Sequence, residues 1–149
     1  MTQLMPEGIF VIGAHIGFQT VLTATPHTVD HGAPVIAAPM EQPYPGPAQQ
    51  WRITRVPDSG LPGRYIIRPA YEEEGSAAVL TDNAQDDLLW VNNVPPVEWT
   101  INPGPMGFSI LNQKDQYLTA EHIGAQVRLA KPEGRPNQAW TLRFIAPAS

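Results

Sequence analysis

Three tryptophans sit in closely similar settings, Gln49-Gln50-Trp51-Arg52-Ile53, Val97-Glu98-Trp99-Thr100-Ile101 and Gln138-Ala139-Trp140-Thr141-Leu142, 48 and 41 residues apart. Two further markers recur in step with them. A Leu-Thr pair appears as Val21-Leu22-Thr23, Val79-Leu80-Thr81 and Tyr117-Leu118-Thr119. A glycine opens an apolar run at Gly8-Ile9-Phe10-Val11-Ile12, Gly63-Arg64-Tyr65-Ile66-Ile67 and Gly107-Phe108-Ser109-Ile110-Leu111. The order is the same each time: Gly run, Leu-Thr run, a third short run, then Trp. A period of this length means that one supersecondary unit is used three times, and that no unit buries its apolar face alone.

The units are built of strands. Seventeen prolines are spread along the 149 residues and would interrupt any long helix. No stretch of helical length shows a 3.6-residue apolar period free of Pro and Gly. Twelve short β-branched or aromatic runs do stand out: Ile9–Ile12, Thr20–Thr23, Val35–Ala38, Trp51–Val56, Tyr65–Arg68, Ala77–Thr81, Leu88–Val91, Trp99–Asn102, Phe108–Leu111, Tyr117–Ala120, Gln126–Ala130 and Trp140–Ile145. Turn residues separate almost every pair, the pattern of an all-β sandwich or barrel.

Three units of four strands resemble a β-trefoil. That fold implies six strands closing a barrel and six forming hairpins that cap one end. It leaves no open sheet edge to template aggregation. The expected organisation is a single domain over residues 1–149, with repeats at about 6–56, 57–103 and 104–146. The tryptophans are then core residues, each burying about 150–250 Å².

Composition removes several functions. With no cysteine there is no disulfide framework, thiol nucleophile or cysteine-held metal. A net charge of −5 argues against nucleic acid and anionic membranes as partners. The apolar run Ile9–Ala14 is too short to span a bilayer. The first basic residue is Arg52, so no secretory leader is read at the start. The expected location is cytoplasmic, and export by a route that needs no leader is compatible with the same sequence. None of the serines (Ser59, Ser76, Ser109, Ser149) lies in a nucleophile-elbow context, and no glycine-rich phosphate loop precedes a helix. His27 and His31 flank Asp30 at metal-like spacing, but Pro26, Gly32 and Pro34 place them in a loop rather than on one helix face. Glu72-Glu73-Glu74 reads as a solvated turn, and Asp86-Asp87 as a turn into the next strand. No enzyme activity, cofactor or metal is expected.

The opening Pro6-Glu7-Gly8-Ile9-Phe10-Val11-Ile12 resembles the first strand of the fungal β-trefoil protease inhibitors, the cospin-like serine protease inhibitors and their mycocypin relatives. The Gln-x-Trp element is shared with those inhibitors and with ricin-B-like lectins. The inhibitor resemblance implies a monomer without cofactor that blocks a target protease with one exposed loop. Such a loop must be held in shape before binding, so that little ordering entropy is lost. Proline restricts the unbound ensemble and suits the task.

For a trypsin-like target, Lys131 and Arg135 in Lys131-Pro132-Glu133-Gly134-Arg135-Pro136 are candidates, although Pro follows both. Lys114 is another, followed by acidic Asp115, while Arg64 adjoins a strand start. The Thr25–His31 loop lacks a basic residue, and Thr25, His27, Thr28 and Val29 would suit an elastase- or subtilisin-like pocket. Met40–Gln49 and Ala70–Ser76 are the remaining loops that break the threefold symmetry. The alternative is a glycan-binding lectin of the ricin-B-like kind. Asn137-Gln138-Ala139-Trp140 fits the end of that pattern, Tyr117, Trp90, Asn92 and Asn93 could contribute to a sugar site, and Val97 breaks the pattern in the second unit.

Overall fold

The computed structural model describes residues 7–15, 19–25, 32–56, 64–70, 78–82, 87–104 and 106–147. Its twelve strands fall on the twelve runs read from the sequence: β1 (Gly8–Ala14), β2 (Thr20–Ala24), β3 (Ala33–Pro39), β4 (Trp51–Arg55), β5 (Arg64–Pro69), β6 (Val79–Asp82), β7 (Leu89–Asn92), β8 (Trp99–Gly104), β9 (Gly107–Leu111), β10 (Tyr117–Thr119), β11 (Arg128–Ala130) and β12 (Trp140–Ala146). Two single 3-10 turns, Pro47–Gln49 and Pro136–Gln138, run into β4 and β12. No helix among the described residues is long and apolar enough to cross a membrane.

Six strands close on themselves. β1 pairs with β4, β4 with β5, β5 with β8, β8 with β9, β9 with β12, and β12 returns to β1, every pair antiparallel. The closing seam is long, with Phe10 opposite Phe144, Val11 opposite Arg143 and Gly13 opposite Thr141. The other six strands form the hairpins β2–β3, β6–β7 and β10–β11. These lock together through the β3–β7 pair and through bridges joining Ile36 to Gln126 and Leu88 to Arg128. The chain is therefore a β-trefoil, with a six-stranded barrel and a three-hairpin cap.

The three sequence markers each have a structural reason. Trp51, Trp99 and Trp140 have no solvent exposure. Each indole N–H donates to the carbonyl of the Leu in its own unit: Trp51 Nε1 to Leu22 O at 2.9 Å, Trp99 Nε1 to Leu80 O at 3.0 Å and Trp140 Nε1 to Leu118 O at 3.0 Å. The ring is thus buried without orphaning its one donor. Those leucines also pack into the common core, with Ile12, Ile53, Tyr65, Ile67, Leu89 and Ile110. Gly107 opens its strand at φ +133, where a Cβ would stand 2.8 Å from the Trp140 carbonyl oxygen. Glycine is required there by both backbone conformation and space.

Candidate functional site: a cleft in the third repeat

The glutamine of Gln-x-Trp is a structural residue. Gln138 is 5% exposed. Its Nε2 donates to Thr119 Oγ1 at 3.1 Å and to Lys131 O at 2.8 Å, and its Oε1 accepts the Glu133 N–H at 2.7 Å. Thr119 passes the chain on by donating to Tyr117 O at 2.9 Å. The first repeat repeats this network: Gln49 Nε2 donates to Thr23 Oγ1 and Pro39 O, Gln49 Oε1 accepts the Glu41 N–H, and Thr23 donates to Val21 O. In the second repeat Val97 replaces the glutamine, and Thr81 turns to Asp82 O instead. One buried amide therefore pins the β3–β4 loop, and its counterpart pins the β11–β12 loop. The second repeat has no such pin at Val97.

The pinned β11–β12 loop carries Lys131 and Arg135. Both are exposed. The Gln138 N–H donates to Arg135 O at 3.1 Å, and Arg135 Nε lies 3.7 Å from Glu133 Oε2. The loop walls a cleft of about 220 Å³, which it forms together with the turn joining β8 to β9. Pro132, Gly134 and Arg135 line one side, Met106 and Phe108 the other, and Tyr117 and Gln138 also border it. Gly104 and Gly107 flank Met106 on one wall of the cleft, while Gln138 fixes the opposite wall. Its chemistry is an apolar, aromatic surface edged by a guanidinium and by backbone polar groups. This combination holds a flat, partly apolar ligand and orients it with a few hydrogen bonds.

Other residues singled out in the sequence lie elsewhere. Thr25 is half-buried and braces its own loop: its N–H and its hydroxyl both donate to Pro34 O, at 3.0 and 2.7 Å. It clasps the two ends of the loop together from a half-buried position. His27, Thr28 and Val29, with Asp30, His31 and Glu72–Glu74, lie outside the described residues. Lys114 is exposed in a tight turn in which Asn112 Oδ1 accepts the N–H groups of Lys114 and Gln116. Arg64 is half-buried and paired with Glu98 at 3.2 Å. Of the sugar-site candidates, Tyr117 and Gln138 border the cleft, whereas Trp90 and Asn92 lie on β7, and Asn93 follows it. Asn137 lies in the 3-10 turn before β12, with its Oδ1 buried and without a hydrogen-bond partner. Among the described residues no cluster of His, Asp or Glu could hold a metal ion.

Sequence reading missed Met106 and Phe108, because Phe108 sits in a strand and reads as core. The signal was local. Gly104-Pro105-Met106-Gly107 puts a large apolar residue inside a glycine-flanked turn, and Met106 is 43% exposed. Asn112 was also missed. It is 2% exposed, and its Nδ2 donates to Asp82 Oδ2 and Gln116 Oε1, tying the second repeat to the third.

No protein-family profile matches the sequence, and no curated protein sequence does either. Solved structures do match. The Rhizoctonia solani agglutinin superposes on 97% of this chain and 100% of its own, with a TM-score of 0.74 at 15% identity. ThreeFoil, a designed 3-fold symmetric protein, matches 93% of this chain and 99% of its own, with a TM-score of 0.73 at 21% identity. The Polyporus squamosus lectin, bound to the epitope Neu5Aca2-6Galb1-4GlcNAc, matches 94% of this chain over 50% of its own length, with a TM-score of 0.72 at 17% identity. The resemblance to the cospin-like inhibitors rests on the sequence motifs alone. At these identities the structural likenesses show the fold, and that fold is the β-trefoil of an agglutinin, a lectin and a designed threefold protein.

Proposed function

We propose that the protein is a glycan-binding module, acting by binding rather than catalysis, and that the third-repeat cleft holds one sugar ring. The observation that carries this reading is the cleft itself, about 220 Å³ with Phe108, Met106 and Tyr117 on its surface and a pinned loop for a wall. It is smaller than the roughly 300–1,000 Å³ of drug-sized sites and suits a single ring. The apolar face of a pyranose packs on aromatic carbon, and its hydroxyls find Arg135 and the loop backbone. The β-trefoil likeness to an agglutinin and a lectin supports the class of function without naming the sugar.

A glycan array against the purified chain tests the reading, with Tyr117→Ala as the paired variant. Binding to a defined set of glycans is expected, weakened about tenfold or more by Tyr117→Ala, which removes a large contact from a small site. A blank array, or binding untouched by the substitution, would remove the cleft from the account.

One observation favours protease inhibition as the second reading. The Lys131–Arg135 loop is exposed, offers two basic side chains and is held in shape by Gln138. Such pre-organisation is what an inhibitory loop needs. A panel of trypsin, chymotrypsin, elastase, subtilisin, papain and legumain separates the two readings. Inhibition of trypsin that disappears in Lys131→Ala with Arg135→Ala, beside a blank array, would establish the second in place of the first.

A further inference from the structure

We propose that the outer wall of the barrel carries an anion site, built by Arg52 of β4 and Arg68 of β5, for the doubly charged oxyanion of a phosphate or sulfate group. The register sets these two residues directly opposite each other, so their side chains leave the sheet on one face. Both are half-buried. Thr54, two residues along β4, shares that face, and so does Ile66, which stands opposite it. Ile9 of β1 flanks Arg52 on the other side. The pair therefore sits within the paired strands of the wall rather than on a loop.

Like charges directly opposite on neighbouring strands cost stability, and the fold does not require them here. The same positions in the other two repeats hold Thr100 opposite Leu111 and Thr141 opposite Gly13. The chain has 14 acidic residues against nine basic ones, and Arg64, Arg128 and Arg135 each have a carboxylate within 4.0 Å. Neither Arg52 nor Arg68 has one among the described residues. Arg55 and Arg143 share that lack, but each stands alone, opposite Tyr65 and Val11. What sets Arg52 and Arg68 apart is that two unanswered guanidiniums face each other. Arg52 Nε is closed to solvent and has no acceptor, so the arm lies against the protein and its terminal nitrogens are the donors offered outward. Side chains that start about 4.5–5.5 Å apart at Cβ can close on one group from two sides. Each guanidinium brings a rigid fork of donors, and two positive charges are matched by a dianion, whereas one carboxylate answers only half of them. Half-buried Ile9 and Ile66 border the pair and strengthen an ion pair made there by keeping water partly away. The site shares no residue with the third-repeat cleft and does not rest on its glycan reading.

Titration with sodium phosphate and with sodium sulfate near neutral pH, at an ionic strength held constant with sodium chloride, tests the assignment. Binding is read from the backbone amide NMR signals of β4 and β5, with sodium acetate as the singly charged comparison. Both dianions are expected to shift those signals, and the tighter of the two identifies the group. Acetate is expected to bind at least about tenfold more weakly, the loss of charge-assisted hydrogen bonds. Arg52→Gln and Arg68→Gln are each expected to weaken both dianions about tenfold or more. Arg128→Gln removes the same charge from the cap and should leave the binding unchanged. No shift on β4 and β5 with either dianion, acetate bound as tightly, unchanged affinity in either wall variant, or an equal loss in Arg128→Gln would overturn the proposal. The acetate comparison uses the parent chain alone, so it decides the matter even if a wall variant fails to fold.

Discussion

Gln49 and Gln138 each satisfy three polar partners from a position with almost no solvent, and Val97 shows what the second repeat does without that side chain. The contrast yields a prediction about single residues. Gln138→Val leaves the Lys131 carbonyl and the Glu133 N–H without their partner and deprives Thr119 Oγ1 of a donor. The cost should be about 1–3 kcal/mol, the penalty for buried groups left unpaired, read as a lower urea midpoint with an unchanged slope. The same substitution should loosen the cleft wall and weaken glycan binding. At Val97 a change to Ala removes no hydrogen bond and should cost only about 1–2 kcal/mol of packing. Asn112 makes a comparable case. Its Oδ1 accepts two N–H groups and its Nδ2 donates to two oxygens, so Asn112→Ala should cost about 2–3 kcal/mol. A stability equal to the parent chain in either Gln138→Val or Asn112→Ala would show that these networks are incidental.

The strands were legible because their signals are local and repeated. Each of the twelve runs carries β-branched or aromatic residues between turn formers, and the closed barrel follows from using one unit three times. The tryptophans make this testable at the level of the element. Trp99→Ala should cost about 3–5 kcal/mol, as large core deletions do, and leave Leu80 O without its indole donor. A loss below 1 kcal/mol would contradict the packing described. The loops were less legible. Proline content marks Lys131–Pro136 as stiff, but the residue that holds it, Gln138, reads as part of a family motif rather than as a loop clasp. Thr25 reads as a loop contact residue, and its bond to Pro34 O, which braces the loop, has no signal in the sequence. The third-repeat cleft was readable only on one side, because it joins Met106 and Phe108 to Pro132 and Arg135 across 24 residues or more of sequence, and the β9–β10–β11 and β9–β12 pairings bring them together. Replacing Lys131 and Arg135 by Ala should shift unfolding by no more than about 0.5 kcal/mol, since both side chains are exposed. Any effect of that double variant on binding can then be assigned to the loop surface.

On the scale of the whole molecule, the threefold scaffold is nearly uniform in its core and uneven at its surface. Leu22–Trp51, Leu80–Trp99 and Leu118–Trp140 supply the same buried hydrogen bond three times. The glutamine pin is kept twice, and the cleft with a pinned wall and an aromatic floor is described in the third repeat. A rigid barrel that differs in its loops places function in those differences. The central claim is that the third-repeat cleft binds a sugar ring, and the most direct test is one glycan array read with the parent chain and Tyr117→Ala side by side. The account predicts a defined set of bound glycans whose signals fall together about tenfold or more in the variant while its thermal unfolding remains cooperative. An array on which the parent binds nothing, or on which folded Tyr117→Ala binds the same glycans equally well, would contradict it.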